Sequence, residues 1–245
     1  PRQSAITRKM MERLRGEVTF LLSSHILYEV EACCDRMAIL SHGQIVAEGT
    51  LKELQKEFSN TLFIEERKGK LGLGTAYILG FKWALKKDYQ YIFEMDADFS
   101  HDPNDLSRLL KACKENGGDL AIGSRYVKGV NIVNWPMSRL LMSYFASKYV
   151  KAITGMPIHD STAGFKCYKR KVLEKINLDK IEFVGYAFQI EMKFTSWKYG
   201  FNIIEVPVIF TDRQEGNSKM SGGIFYEALF GVIKMKVKSF FKNWK

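Results

Sequence analysis

Hydrophobic and polar positions along this chain fall into short blocks that predict strands alternating with helices. Apolar runs at 18–22 and 36–40 read as strands. Residues 26–34 between them read as a helix with Ile26, Val30 and Cys33/Cys34 on one face. A turn at Ser41-His42-Gly43-Gln44 leads to a return strand over 45–49. Thr50 then opens a helix over 50–58, and Glu53 three residues on completes a capping-box pattern. Residues 62–66 predict a strand, and a glycine-rich turn follows before a helix over 76–87 with Ile78, Phe81, Ala84 and Leu85 as its apolar stripe. An aromatic-rich strand lies within 89–98. A helix runs to about 115, ended by Asn116-Gly117-Gly118, and a strand covers 119–126. Pro136 suits the first position of a helix over 137–154. A polar turn from Asp160 enters a strand through Tyr168, and helices are predicted over 170–176 and from 185 onward. Residues 203–210 read as an edge strand, because Pro207 cannot donate to a central ladder. The order predicts an α/β fold with a mostly parallel sheet flanked by helices.

The last block, 222–245, has helical periodicity. Phe225, Leu229, Val232, Ile233, Val237, Phe240, Phe241 and Trp244 fall on one half, and Lys234, Lys238, Lys242 and Lys245 on the other. A basic amphipathic helix of this kind suits an anionic membrane surface, or docking on the core or a partner.

Composition narrows the function classes. With 245 residues, 46% of them hydrophobic and 26% charged, the chain is long enough for a substantial core. The net charge of +10 points to anionic partners. Residues 1–57 carry eight Lys/Arg and eight Asp/Glu, so the excess lies wholly in the remainder. The four cysteines form no Cys-x-x-Cys pair, which speaks against zinc and for reduced thiols in a cytosolic compartment. No signal peptide and no bilayer-spanning apolar run is evident. No nucleic-acid recognition motif accompanies the positive charge. The opening Pro1, in place of Met, suggests a chain cut from something longer.

The chemistry centres on Asp96-Ala97-Asp98. In an extended chain, residues two apart project to the same side. Both carboxylates then stand together at the C-terminal end of a strand, where open α/β sheets bind ligands. Two acids there suit a hard divalent cation that also holds phosphate oxygens. The competing reading is an acidic cap for the following helix, since Asp98, Ser100 and Asp102 are all capping residues. The segment from Lys68 and Lys70 through Gly74 offers backbone N–H groups and charge to an anion. Arg125 is delivered at a strand end, Arg139 and Ser143 lie on one helix face, and Arg213 and Lys219 sit in a polar loop suited to clamping phosphate.

Taken with Gly123-Ser124-Arg125-Tyr126, Ser161-Thr162-Ala163-Gly164-Phe165 and Phe188-Gln189-Ile190-Glu191-Met192, these motifs resemble the polyprenol-phosphate (dolichol-phosphate) mannosyltransferases. Those are family 2 glycosyltransferases of the GT-A fold, and the resemblance covers about 50–230. It implies that Asp96 and Asp98, with Ser100 where the family often has Gln, hold Mg²⁺ or Mn²⁺. It also implies that Asp96, Ala97, Lys70, Gln189, Glu191, Arg213 and Lys219 line the donor site, and that Arg125, Arg139 and Ser143 receive the lipid phosphate. Asp98, Arg125 and Arg213 are then the catalytic set. The implied reaction is an inverting transfer of a hexose, mannose from GDP-mannose first, to polyprenyl or dolichyl phosphate at the cytoplasmic membrane face.

The front differs. Leu21-Leu22-Ser23-Ser24-His25, the run Glu29 to Arg36 and His42-Gly43-Gln44-Ile45-Val46 resemble the end of an ABC-transporter ATPase domain, without a phosphate-cradling loop. In that resemblance His25 matches the switch histidine. The family's Pro-x-Tyr-Asn-Glu strand end and paired Asp are missing. The sequence therefore predicts a chimera of two parts: 1–57 as an ABC-like strand–helix–strand segment completing the sheet, and 58–245 as the glycosyltransferase body. Alternatives are a chimera that keeps the fold without turnover, and an ABC-ATPase fragment.

Overall fold

The computed structural model describes residues 37–41, 44–50, 53, 71–96, 100–185, 187–212 and 222–244. Two compact units divide the chain, 1–67 and 68–245. The division falls after Arg67, later than the 57/58 boundary read from the sequence.

In the first unit, β1 (Met37–Ser41) and β2 (Gln44–Gly49) form an antiparallel hairpin that pairs Met37 with Gly49 and Ser41 with Gln44. Among the described residues these strands pair only with each other, so the expected completion of the larger sheet is not seen in them. The capping box is present. Thr50 N donates to Glu53 Oε2 at 2.8 Å, and Glu53 N donates to Thr50 Oγ1 at 3.2 Å. The elements read at 18–22, 26–34 and 62–66 lie outside the described residues, as does His25.

The second unit is built on a four-stranded sheet in the order β3-β6-β4-β7, from β3 (Tyr91–Glu94), β4 (Leu120–Ser124), β6 (Lys166–Lys169) and β7 (Ile203–Pro207). Helices α1 (Leu73–Leu85), α2 (Asp105–Lys114), α3 (Met137–Thr154), α4 (Arg170–Lys175), α5 (Ala187–Lys198) and α6 (Gly222–Phe241) accompany it. The sheet is mixed, which corrects the mostly parallel expectation. β3, β4 and β7 run the same way, and β6 lies antiparallel between β3 and β4. Because of this reversal, the C-terminal ends of β3 and β4 meet the N-terminal end of β6, with Lys166 opposite both Glu94 and Ile122. Asp96, Arg125 and the turn 160–165 therefore arrive at one end of the sheet.

Pro207 closes β7, which is an edge strand as its missing N–H requires. The strand read over 203–210 is in fact two. After Val208 and Ile209 the chain re-pairs as β8 (Phe210–Thr211) beside β5 (Ile132–Val133). Pro136 precedes α3 as its cap instead of opening it. Helices cover both faces of the sheet, and side chains alternate accordingly. Leu120, Ile122 and Tyr168 join Phe81, Phe188 and Phe194 on one side, whereas Ala121 and Cys167 join Leu109, Phe165 and Val208 on the other.

Helix α6 refines the predicted two-sided pattern. Among its residues of described burial, Gly231, Val232, Met235 and Ser239 are buried. Phe230, Ile233, Val237, Phe240 and Phe241 form an exposed apolar stripe, with Phe241 at 87% exposure. A lysine row lies between stripe and core, and Lys234 and Lys238 both pair with Glu182. Val232 thus parts from the other apolar residues because the helix docks along one edge of its apolar half.

Candidate active site

Asp96 follows the end of β3 and is half-buried. Its Oδ1 accepts a hydrogen bond from the Tyr77 hydroxyl at 3.0 Å, which ties the carboxylate to α1. Its Oδ2 faces Gly164: a Cβ built on that glycine would stand 3.4 Å from Oδ2 and 3.8 Å from Gln189 Nε2. A longer side chain at 164 would crowd both groups. One carboxylate oxygen is therefore anchored and the other lies over a bare stretch of backbone, a fit for a cation ligand. Ser100 is buried, and its carbonyl accepts from Thr211 N. Ala97, Asp98, Lys70, Arg213 and Lys219 lie outside the described residues. Among those described, no group of three or more His, Cys, Asp or Glu is placed to hold a metal by itself.

Beneath Asp96 lies a fully buried polar cluster. Lys166 Nζ pairs with Glu94 Oε2 at 2.9 Å, and both side chains have no exposed surface. Gln189 bridges them, accepting from Lys166 and donating to Glu94. Burial pushes the Glu94 carboxyl up against the pull of Lys166, and burial likewise pushes the Lys166 ammonium down. Gln189 is thus brought to Asp96, as expected. Glu191 is not. Residues two apart on a helix face away from each other, and Glu191 instead accepts from the backbone N–H groups of Glu182 and Phe183 on the other side of α5. The resemblance assigns both residues to the donor side, whereas helical phase brings them to opposite faces of α5.

Gly74, the last glycine of the glycine-rich turn, is also committed elsewhere. Gly74 N donates to Val184 O at 2.8 Å, and a Cβ at Gly74 would come within 2.6 Å of Phe183 O. The glycine lets α1 approach the 183–184 backbone closely, and its N–H is spent there instead of facing an anion.

The second half of the site is a cluster of arginines and aromatic rings. Arg125 follows β4, and Asp160 grips it three times: through its backbone N at 2.9 Å, Nε at 2.7 Å and Nη2 at 2.7 Å. Nη2 also donates to Thr162 Oγ1 at 2.8 Å. Burial raises the cost of the Asp160 charge, but Arg125 more than offsets it and holds the carboxyl below its ordinary value. Arg125 also lies over the rings of Tyr126, Trp135 and Phe210, at 5.3, 5.4 and 5.6 Å. Arg139, on α3, stacks on the same Trp135 at 4.1 Å and pairs through Nη1 with Asp212 Oδ1 at 2.7 Å. Ser143, one turn along α3, lies beside the Tyr126 hydroxyl, a buried group that makes no hydrogen bond among the described residues. The three residues expected at an anion, Arg125, Arg139 and Ser143, thus form one neighbourhood around Trp135 and Tyr126.

Sequence reasoning passed over Tyr77, Trp135, Glu94, Lys166 and Lys193 as site residues. The signal was present for the last three: a charged residue inside an apolar run, as in Phe93-Glu94-Met95 and Met192-Lys193-Phe194, has to be paired when the run is buried.

Residues 48–177 match the family described as Glycosyl transferase family 2. The chain is 43% identical over 216 residues to polyprenol monophosphomannose synthase of Mycolicibacterium smegmatis, covering 87% of this chain and 81% of that protein. It is 45% identical over 174 residues to undecaprenyl-phosphate mannosyltransferase of Micrococcus luteus, covering 71% of each. A match over 87% of 245 residues is too long for the 50–230 stretch alone and reaches into the front or the tail; a splice of two unrelated pieces gains no support from these relatives. Among solved structures, glucosyl-3-phosphoglycerate synthase of Mycobacterium tuberculosis is similar at a TM-score of 0.49 and 13% identity, covering 78% of this chain and 66% of that one. That likeness is too loose to inform the site.

Proposed function

Because the chain belongs to glycosyl transferase family 2, we propose that it transfers mannose from GDP-mannose to a polyprenyl phosphate, inverting the anomeric carbon. The observation that carries this reading is the extent of the match to polyprenol monophosphomannose synthase. The neighbourhood of Arg125, Arg139 and Ser143 supports it, because an acceptor phosphate needs cationic and hydroxyl donors held in place.

The acceptor is already anionic near neutral pH. One of its phosphate oxygens forms the new bond to the anomeric carbon as the bond to the nucleoside diphosphate breaks, so no strong general base is required. What the protein supplies is position and charge. Arg139, half-buried and held to Asp212 by a single bond, is the arginine that turns toward the acceptor phosphate, with Ser143 beside it. Arg125 is the fixed positive charge beneath them. Asp96, with Asp98 and Ser100, would hold Mg²⁺ or Mn²⁺, which when bound neutralises the leaving diphosphate. Arg213, Lys219 and Lys70 belong to the donor side of this reading, and Gln189 holds the floor beneath the sugar.

No helix among the described residues is long and apolar enough to cross a membrane. The exposed stripe of α6, flanked by lysines, suits a helix lying on the anionic cytoplasmic face, where a polyprenyl phosphate presents its headgroup. Flotation with anionic vesicles tests that placement.

The test of function is label transfer. Radiolabelled GDP-mannose with undecaprenyl phosphate and Mg²⁺ or Mn²⁺ should give a lipid-soluble product, and Asp96→Asn should lower the rate at least about 100-fold. Transfer from UDP-glucose but not from GDP-mannose overturns the donor, and no transfer from either overturns the reading.

A further inference from the structure

Lys193 lies in the middle of α5 with no exposed surface. Its amino group donates to two backbone carbonyls, Ser161 O at 2.8 Å and Ala163 O at 2.6 Å. The two buried acids nearest in the cluster are already engaged, Asp160 with Arg125 and Glu94 with Lys166. Burial pushes this amine well below the ordinary lysine value, and its hydrogen bonds are spent on the backbone of a single turn.

That turn joins the two halves of the site. Asp160 and Thr162 hold Arg125, Gly164 lies against Asp96 Oδ2, and Lys166 at its end is locked to Glu94 and Gln189. The carbonyls that Lys193 grips alternate with these functional positions, at 161 and 163.

We infer that Lys193 is a positioning residue: it staples the 160–164 turn from below and so fixes Arg125 and Thr162 relative to Asp96 for an incoming phosphate. The inference rests on the proposed acceptor site for its functional consequence, while the staple itself stands on the geometry alone.

The test uses the full chain with Lys193→Met, which keeps the length of the side chain and removes its donors, and Lys193→Gln, which keeps a donor. Two readouts are needed. The first is amide hydrogen exchange at Arg125 and across 160–166, which should speed up about tenfold or more in Lys193→Met and less in Lys193→Gln. The second is the KM for farnesyl phosphate, a short polyprenyl phosphate, which should rise about tenfold in Lys193→Met while the KM for GDP-mannose stays within about twofold. Unchanged exchange overturns the staple. Equal shifts in both KM values overturn the positioning role, because general loosening would not single out the acceptor. If wild type transfers no mannose, the proposed function fails while the exchange readout still decides the staple. If neither variant melts cooperatively, Lys193 is a core-stability residue and the inference is wrong.

Discussion

Two arginine–aspartate pairs stand at the same end of the sheet and share one tryptophan, yet they are built differently. Arg125 and Asp160 meet through three bonds with side chains 9% and 0% exposed. Arg139 and Asp212 meet through one bond with side chains 22% and 24% exposed. The first pair is closed on itself by the turn that Lys193 holds. The second joins α3 to Asp212, the residue after β8. The same two residue types thus make a closed, dry pair in one place and a partly wet one in the other. The difference lies in desolvation, since a buried pair loses heavily when either partner is removed, whereas a wetter one loses little.

The largest effect should come from breaking the inner pair. Asp160→Asn leaves Arg125 buried beside a neutral group, and stability should fall by about 3–5 kcal/mol, measured by urea unfolding. The same variant isolates a pH dependence. The Asp160 carboxyl is held below its ordinary value in the folded protein, so its contribution is fully present above an unfolded pKa of about 3.9 and is lost as pH falls through the lower folded value. Glu94, pushed up by burial, works in the opposite sense. The difference between wild-type and Asp160→Asn stability should therefore shrink on acidification below about pH 4. A gap that stays constant across that range would mean that the pair is worth nothing as a charge pair.

An effect of intermediate size should come from the outer arginine, and it should appear in binding. Arg139→Met keeps the stem that stacks on Trp135 and removes the charge. Stability should change by less than about 1 kcal/mol, while the KM for polyprenyl phosphate rises about tenfold or more. If Arg139→Met instead destabilises the fold as Asp160→Asn does, the contrast between the two pairs is lost.

Most of this architecture was legible in the sequence because each element carried a local signal. Helix α3 spans 137–154 as its periodicity predicts, the Thr50/Glu53 box closes as written, and Pro207 marks an edge. Strand direction was not legible. Nothing in the run Phe165 to Tyr168 says whether it pairs parallel or antiparallel, since that depends on where α3 delivers the chain. Of the site, the arginines and Asp96 were readable as chemistry at strand and helix ends. Their partners were not, because Asp160 and Tyr77 reach them from positions 35 and 19 residues away. Glu191 shows the limit of motif matching: the resemblance puts it beside Gln189 on the donor side, and helical phase sends its carboxylate to the amides of 182 and 183.

The smallest effect, and the sharpest test of the contrast, is at Asp212. Asp212→Asn removes the charge that holds Arg139 without touching the arginine. Stability should move by no more than about 1 kcal/mol, because the pair is partly wet. The effect on acceptor binding should have the opposite sign to that of Arg139→Met. On the proposed function, the acceptor phosphate competes with the Asp212 carboxylate for the same guanidinium, so weakening that competitor should lower the KM for polyprenyl phosphate by about two- to threefold. The sign decides the matter. A higher KM in Asp212→Asn would mean that Asp212 orients Arg139 for the phosphate, as Asp160 orients Arg125. The outer pair would then be a second fixed scaffold and not a charge that changes partners.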